Sequence, residues 1–338
     1  MQKLVMNRRS VLVTGAALLA APAVLRAADA DVVRFGVLYP NLTTVIHAIA
    51  LKTGAYERNG IKIEETKFKS GQTVDGVEQL WRGELDFYMG GAPEIPRLNS
   101  RVVEAGGTPP LAVVSGANPG HTSLVLSNKL QPKSIDEILK QPLQIAVSSP
   151  SSVHLAFFRG YLTTEKKMDP NSIGWKFLSL EAGNMLAALT TNQIDGFLHS
   201  EPTTTLAIVK NVGHLFMSAR RGDMGPNPPP ATFMSSRRDY IKKNNAVAKR
   251  FMRAIFDANQ AFEKAPKDEM VKIIAEWGGL EEDIVSAAYE RMNPVTSLTE
   301  GQAMKWWNTI ASTMVERGEL TSKLDPMRDV FDLSLQPA

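Results

Sequence analysis

The sequence predicts an α/β protein built from two lobes of similar design. Runs of β-branched and aromatic residues, such as 32–38, alternate with segments of helical periodicity, such as 45–50. Strands and helices in alternation are typical of folds with a largely parallel sheet. The length of 338 residues is enough for about two domains, and several motifs of the first half recur in the second.

Each predicted element has a local signal in the sequence. Alternating apolar residues indicate half-buried strands, apolar residues three or four apart indicate helices, and Gly, Asn or Pro marks the turns between them. In order, we predict strands at 32–38, 61–63 and 85–89 separated by helices, strand-like runs at 111–115 and 123–127, and C-terminal helices at 237–264, 268–277, 281–292 and 299–318.

The repeated motifs lie at a nearly constant distance along the chain. Asp86 and Asp195 each follow an apolar residue that comes after a helix end with Gly or Asn, and they are 109 positions apart. Pro93 and Pro202 are also 109 positions apart, and the strand before Pro40 resembles the strand before Pro150. We therefore predict two lobes on one plan, although any chain of strand–turn–helix units would show part of this similarity.

Two irregular stretches mark where the chain would cross between the lobes. The first lies near 116–121, and the return lies near 217–233, where a Pro run precludes regular structure. The predicted organisation is an export signal at 1–30, lobe one at 31–117, lobe two at 118–217, and the return crossing, the rest of lobe one and the C-terminal helices at 218–338.

The N-terminus has the pattern of a removable export signal. Arg8 and Arg9 precede an uncharged run of 15 residues, shorter than the ~20 apolar residues that span a bilayer. Ala28 and Ala30 form a cleavage pattern, and the arginine pair resembles a twin-arginine (Tat) signal. Cleavage near Ala30 would place the protein outside the inner membrane, whereas a retained membrane anchor is the alternative.

Composition excludes several classes of protein. The chain has no cysteine, which excludes disulfides, thiolate zinc sites and a cysteine nucleophile. Removal of 1–30 takes away four basic residues and one acidic residue, which leaves 34 of each. A net charge of zero argues against a nucleic-acid partner and against a polybasic contact with membranes.

The motifs of the chain favour binding over catalysis. The chain contains no G-x-S-x-G, Walker A or G-x-G-x-x-G motif. Its five histidines include no pair at the i, i+4 spacing of a helical zinc site. We therefore predict no enzyme activity, no metal and no cofactor.

Four turns that follow predicted strands are the candidate ligand site. Ligands of open α/β sheets bind beyond the carboxyl ends of the strands, and facing lobes would bring the turns at 39–43, 90–94, 148–154 and 199–203 to one cleft. The candidate ligand-binding residues are Tyr39, Pro40, Asn41, Thr43, Ser70, Gly71, Gly91, Ala92, Pro93, Asn118, Ser148, Ser149, Ser151, Ser152, His154 and Glu201.

The serine turn is the sharpest of these signals. Ser148, Ser149, Ser151 and Ser152 flank Pro150 where a helix should begin, and helix N-termini bind anions through free N–H groups and the helix dipole. Helix capping alone would explain one of the four hydroxyls. Glu201 could accept a hydrogen bond from a ligand, or it could belong to the first turn of a helix.

Three motifs resemble those of the periplasmic substrate-binding proteins of nitrate/taurine/sulfonate-type (NitT/TauT) ABC importers. They are GAYERNGIKI at 54–63, GELDFYMGGAP at 83–93, and IDGF at 194–197 with Glu201-Pro202. The resemblance covers about 32–235, and Ser200 stands where many members have an aromatic residue.

The resemblance implies a two-lobed type II periplasmic binding protein fold with the C-terminal helices on lobe one. It further implies a monomer that closes around a small anionic or zwitterionic solute, such as a sulfonate or taurine, and delivers it to an ABC permease with its ATPase. A thiamine-pyrimidine precursor or an aromatic acid is an alternative ligand. The iron-using thiamine-pyrimidine synthases share the fold, but the absence of cysteine removes their main residue type. A sensor input domain is a third alternative.

Overall fold

A computed structural model describes residues 30–69 and 71–336. The predicted export signal therefore lies outside the described residues except for Ala30. Within the described ranges, the strands form two separate five-stranded sheets, and helices cover both. We call them sheet one and sheet two, and each forms the centre of one lobe.

Sheet one begins with the first four strands. They are β1 (Asp31–Leu38), β2 (Ile61–Phe68), β3 (Phe87–Gly91) and β4 (Leu111–Ala117). The connecting helices are α1 (Val45–Lys52), α2 (Ala55–Arg58), α3 (Thr73–Arg82) and α4 (Glu94–Glu104). β1 lies between β2 and β3 and is parallel to both, as the strand–helix alternation predicts.

The next five strands form sheet two. They are β5 (Ser123–Ser127), β6 (Gln144–Val147), β7 (Lys176–Ser179), β8 (Gly196–His199) and β9 (Gly213–Ser218). The helices of this lobe are α5 (Ile135–Ile138), α6 (Val153–Thr164), α7 (Ala182–Thr190) and α8 (Thr203–Val209). The chain then returns to sheet one with β10 (Thr232–Arg237), which pairs antiparallel with β3 and β4.

Both sheets have the same topology. Their strand orders are β2-β1-β3-β10-β4 and β7-β6-β8-β5-β9, and the fourth strand of each order is antiparallel to its neighbours. The chain leaves sheet one after Ala117, enters sheet two at Ser123, and returns between Ser218 and Thr232. Two connections therefore join the lobes, and each links a strand of one sheet to a strand of the other.

The repeated aspartates have the same structural role in each lobe. Asp86 accepts a hydrogen bond from the Arg34 backbone N–H at 3.0 Å, and its own N–H donates to the Arg34 carbonyl at 2.8 Å. Asp195 makes the same pair of contacts with Gln144, at 2.7 and 2.8 Å. Gly83 and Asn192 both have left-handed backbones before these aspartates. The predicted internal repeat is confirmed.

Helices that follow β10 complete lobe one. α9 (Arg238–Lys243), α10 (Asn245–Lys264), α11 (Lys267–Gly278) and α12 (Glu282–Tyr289) come next in the chain. The apolar faces of α10 and α11 pack against α1 and the first sheet in one buried core. The position of these helices agrees with the predicted C-terminal part of lobe one.

The last long helix contacts both lobes, which the sequence did not predict. It comprises α13 (Glu300–Trp306), a π-helical segment (Trp307–Ala311) and α14 (Ser312–Glu316). Trp306 packs on Phe233 of β10, with ring centroids 5.0 Å apart. On the other side, a Cβ added to Gly160 of α6 would lie 2.6 Å from the carbonyl oxygen of Thr309. Only a glycine allows this close approach of the helix to lobe two.

Within residues 30–69 and 71–336, no helix has both the length and the apolar character that a membrane crossing requires.

Candidate ligand-binding cleft

The carboxyl ends of the parallel strands in both sheets face one cleft between the lobes. A cavity of about 50 Å³ lies there, which we call the serine cavity. Its lining comes from the turns after β1, β2, β3 and β6, from the start of α3 and from the start of β10. The lining residues are Leu38, Asn41, Thr43, Gly71, Thr73, Val74, Gly91, Pro93, Glu94, Ser148, Ser149, Ser151, Ser152, Val153, His154, Ala231 and Thr232.

The turn after β1 supplies an unused hydroxyl. The Asn41 side chain accepts a hydrogen bond from the Thr43 backbone N–H at 2.9 Å, and the Thr44 hydroxyl donates to the Leu38 carbonyl at 2.7 Å. These bonds fix the turn. The Thr43 hydroxyl is buried and has no hydrogen-bond partner among the described residues. Because an unpaired buried hydroxyl is costly, Thr43 is well suited to bind a ligand group.

The serine turn places its hydroxyls at the N-terminus of α6. Ser152 is the N-cap, and its hydroxyl accepts from the His154 backbone N–H at 3.3 Å. The hydroxyls of Ser149 and Ser151 lie 3.1 Å apart and bond to each other. Capping therefore uses Ser152, while the other serines line the cavity beside the positive end of the helix dipole.

Two buried histidines, His154 and His199, border the cleft, and His121 is buried beside them. The His154 and His199 rings are 5.1 Å apart, and His154 Nδ1 lies 3.1 Å from the Thr122 hydroxyl. Burial lowers the pKa of His121 to about 3 and that of His199 to about 4, and it also lowers the pKa of His154. All three rings are neutral near pH 7. His154 and His199, which line the cleft, can offer hydrogen bonds to a ligand but no positive charge.

Glu94 is an acidic residue in the lining of the cavity. Glu94 is 8% exposed, and the Arg97 guanidinium donates a hydrogen bond to its carboxylate at 3.0 Å. Burial raises the pKa of Glu94, and the neighbouring Arg97 offsets part of that increase. An ionised Glu94 would repel an anion in the cavity, whereas a protonated Glu94 could donate a hydrogen bond to it.

Glu94→Gln is expected to tighten the binding of an anionic solute about fivefold at pH 8, because removal of one nearby negative charge contributes about 1 kcal/mol. The ratio of variant to wild-type affinity should fall toward one as the pH decreases, since the wild-type carboxyl then becomes protonated. Isothermal titration calorimetry between pH 8 and pH 5 measures both quantities. Equal affinities across this range would contradict a role for the Glu94 charge.

A larger groove continues from the serine cavity. It has a volume of about 660 Å³, and Asn41 lines both spaces. His199 lines the groove, and its ring lies tilted beside the His154 ring of the cavity. Tyr39 and Leu280 of lobe one face Leu186 and Leu206 of lobe two across it. The cleft therefore has a polar inner compartment and a more apolar outer one.

Glu201 is held by protein groups. Its carboxylate accepts from the Thr205 backbone N–H at 3.0 Å, the Thr205 hydroxyl at 2.6 Å and Arg291 Nε at 2.6 Å. Glu201 lies in lobe two and Arg291 follows α12 of lobe one, so this pair connects the lobes at the groove. The described contacts assign the carboxylate to Arg291 and the first turn of α8.

Most of the predicted ligand-binding residues lie at the cleft. The serine cavity contains Asn41, Thr43, Gly71, Gly91, Pro93, Ser148, Ser149, Ser151, Ser152 and His154, and the groove contains Tyr39, Pro40, Asn41 and Glu201. Ser70 lies outside the described residues. Whether these residues bind a ligand stays a prediction.

Two predicted residues lie behind the lining. The Ala92 side chain is fully buried in the core. Asn118 is also fully buried, and its amide donates to the Thr43 carbonyl, so it supports the wall rather than forming it.

The lining also contains residues that sequence reasoning missed. Thr73 belongs to no motif that would indicate a binding role. Thr232 reaches the cavity only because β10 returns to sheet one. Glu94 stands in the sequence directly after Pro93, but its burial in the cavity depends on the opposite lobe. For the residues that the structure covers, no group of three His, Cys, Asp or Glu side chains could hold a metal ion.

Structural comparison identifies proteins of the same fold. The alkanesulfonate-binding protein SsuA from Xanthomonas axonopodis pv. citri, bound to MOPS, superposes with a TM-score of 0.70 at 18% identity, over 90% of this chain and 99% of that chain. The periplasmic nitrate-binding protein NrtA from Synechocystis PCC 6803 has a TM-score of 0.69 at 18% identity, over 88% of this chain and 84% of that chain. The predicted two-lobed type II periplasmic binding protein fold is confirmed.

Sequence comparison also aligns the chain with curated proteins. The nitrate/nitrite binding protein NrtA of Nostoc is 24% identical over 250 residues, which cover 69% of this chain and 50% of that protein. YtlA of Bacillus subtilis is 26% identical over 163 residues, which cover 47% of this chain and 48% of that protein. The chain spans about half the length of these two relatives.

The family model described as the NMT1-like family matches residues 27–277. This range includes lobe two, both connections between the lobes and all ten strands. The predicted resemblance to nitrate/taurine/sulfonate-type binding proteins agrees with this match and with the structural neighbours. The chain belongs to the NMT1-like family.

Proposed function

We propose that this protein is the solute-binding component of an ABC importer and acts in the periplasm. It would capture a small anionic or zwitterionic solute, such as a sulfonate or taurine. The observation that carries the proposal is the serine turn, which lines an interlobe cavity at the N-terminus of α6. The SsuA and NrtA neighbours, which bind alkanesulfonate and nitrate, support the class of ligand.

Lobe closure would be the mechanism of capture. Arg97 of lobe one donates to the Ser151 carbonyl of lobe two at 3.0 Å, and Arg291 bonds to Glu201 across the groove. Contacts of this kind exist only when the lobes are together, so a solute that bridges the lobes favours the closed state. The closed protein would then deliver the solute to a membrane permease with its ATPase, and no bond is made or broken.

A second candidate ligand is an aromatic acid or a thiamine-pyrimidine precursor. The groove beside the serine cavity favours it, because about 660 Å³ of largely apolar space exceeds what taurine or nitrate would fill. Such a ligand would place its polar group in the serine cavity and its ring in the groove.

A thermal-shift screen tests the proposal and separates the two candidates. The mature chain, residues 31–338, would be heated with sulfonates, taurine, nitrate, carboxylates and thiamine precursors. A solute at 100 times its Kd should stabilise the protein by about 2.7 kcal/mol. The absence of stabilisation by every solute, or turnover of one of them, would overturn the proposal.

The double variant Ser149→Ala/Ser151→Ala is expected to weaken binding of the anionic solute at least tenfold, since hydrogen bonds to charged groups contribute about 1.5–3 kcal/mol each. Ser152 is kept so that the cap of α6 stays intact. Ser172→Ala, in an exposed loop of the same lobe, is the matched control and should bind normally. Calorimetry with the solute found in the screen gives the affinities. An unchanged affinity in the double variant would remove the serine turn from the site.

A further inference from the structure

Three arginines from distant parts of the chain surround one carboxylate at the outer mouth of the serine cavity. Arg97 Nη2 lies 2.7 Å from Glu319 Oε2, and Arg317 Nε lies 2.8 Å from Glu319 Oε1. Arg159 Nη1 is 3.9 Å from the same Oε1 atom. Arg97 belongs to α4 of lobe one, Arg159 to α6 of lobe two, and Arg317 follows α14. We call this group the arginine cluster.

The arginine cluster has more positive than negative charge. Three guanidinium groups face Glu319 and Glu94, which leaves one positive charge uncompensated, and Arg101 on the exposed rim adds another. The side chains of Arg159 and Arg317 are only 18% and 24% exposed. Charges at this degree of burial are costly without partners. A bound anion would supply the missing negative charge.

Hydrogen bonding in the cluster is also incomplete. Arg159 Nε and Arg317 Nη1 are buried, and neither has a partner in the described part of the chain. The Arg159 guanidinium carbon lies 5.7 Å from the centre of the Phe177 ring, which holds the side chain in place. Burial and the neighbouring Arg317 lower the pKa of Arg159 to about 10. Arg159 is therefore a cation whose surroundings do not fully stabilise its charge.

The cluster opens to a space that an anion can enter. A pocket of about 580 Å³ is lined by Arg97, Arg101, Arg159 and Arg317. Val74, Glu94 and Ser151 line both this pocket and the serine cavity. The two spaces therefore meet at Glu94 and Ser151, with the arginines on the solvent side.

We propose that the arginine cluster is a second anion site, distinct from the serine cavity, that binds a small oxyanion through Arg159 and Arg317. Guanidinium groups match the geometry of sulfate, phosphate, sulfonate and carboxylate oxygens. The oxyanion could be free in the medium, or it could be the charged group of the solute on its way to the serine cavity. Both sources share this chemistry, and the site would exist whether or not the proposed importer function is correct.

Calorimetric titration of the mature protein with sodium sulfate tests this site. Arg159→Gln is expected to weaken sulfate binding at least tenfold, because it removes a charge-assisted hydrogen bond. Arg82→Gln, which removes one exposed surface arginine of lobe one, should bind sulfate as the wild type does. Ser148→Ala/Ser149→Ala, at two residues that line the serine cavity but not the pocket of the arginine cluster, should also retain the binding at the arginine cluster. Equal sulfate affinity in Arg159→Gln and Arg82→Gln, or no sulfate binding to the wild type, would overturn the proposal.

Arg159→Lys keeps the test informative if the glutamine variant does not fold. Lysine retains the charge but loses the planar fork, so the expected weakening is severalfold, with unchanged circular dichroism. Stopped-flow measurements then separate the two sources. Sulfate should slow association of the transported solute if that solute passes through the cluster, and it should leave association unchanged if the cluster serves free anions. If no organic solute binds, the importer proposal is refuted. The sulfate titration still tests the anion site at the arginine cluster independently.

Discussion

Arg291→Met is expected to lower the free energy of unfolding by about 3 kcal/mol, the lower end of the range found when one partner of a buried ion pair is removed. Glu201 is 3% exposed, and Arg291 Nε bonds to its carboxylate at 2.6 Å. Without the guanidinium, the carboxylate stays buried and keeps only the two hydrogen bonds from Thr205. Urea unfolding of the mature protein at pH 7 measures the loss.

The double variant Arg291→Met/Glu201→Gln should regain most of this stability, since no unpaired charge remains in the interface. Arg82→Met provides the matched control. Arg82 pairs with Glu84 at 2.8 Å, but both side chains are more than half exposed, so its removal should cost less than about 1 kcal/mol. The pairing of Glu201 with Arg291 would be refuted if the single variant at position 291 unfolded at the same urea concentration as Arg82→Met.

Acid is expected to destabilise the protein by about 4 kcal/mol per pH unit between pH 6 and pH 5 through His121, His154 and His199, which each contribute about 1.4 kcal/mol per unit. Buried His47, whose pKa burial also lowers, adds to this loss. Burial holds the folded-state pKa of His121 to about 3 and that of His199 to about 4, and lowers that of His154. The unfolded chain binds protons below about pH 6.5, whereas the folded protein does not. The stability from these groups is therefore complete above pH 6.5 and is lost as the pH falls.

Urea unfolding at pH 7, 6 and 5 gives this slope directly. His121→Asn should reduce this slope by about 1.4 kcal/mol per pH unit, because one of the buried histidines no longer titrates. His214→Asn is the comparison and should reduce the slope less, since His214 is only half-buried on β9 and burial lowers its pKa less than that of His121. A slope in His121→Asn equal to that of the wild type would show that His121 takes up its proton in the folded state.

The parts of the fold that the sequence predicted are those with local signals. Asp86 and Asp195 follow left-handed helix ends and come directly before equivalent strands, so their spacing indicates the repeat. The serine turn was predictable because strand, Pro-containing turn and helix follow one another directly. Its hydroxyls accordingly line the cavity.

Features that depend on distant segments could not be read from local patterns. The place of β10 between β3 and β4 depends on pairing across more than a hundred residues. The partner of Glu201 is Arg291, 90 positions away, so the sequence left open whether the carboxylate faces a ligand or a helix turn. The arginine cluster has no sequence signature, because its members meet only when both lobes and the C-terminal helix come together.

The return of β10 to sheet one also determines the order in which the lobes can be finished during translation. Every strand of lobe two lies between Ser123 and Ser218, whereas β3 and β4 have no shared neighbour until residues 232–237 have been synthesised. A nascent chain that ends before this point presents two unpaired strand edges, which are prone to wrong association. Lobe one, whose first strands leave the ribosome before lobe two, is therefore completed after lobe two.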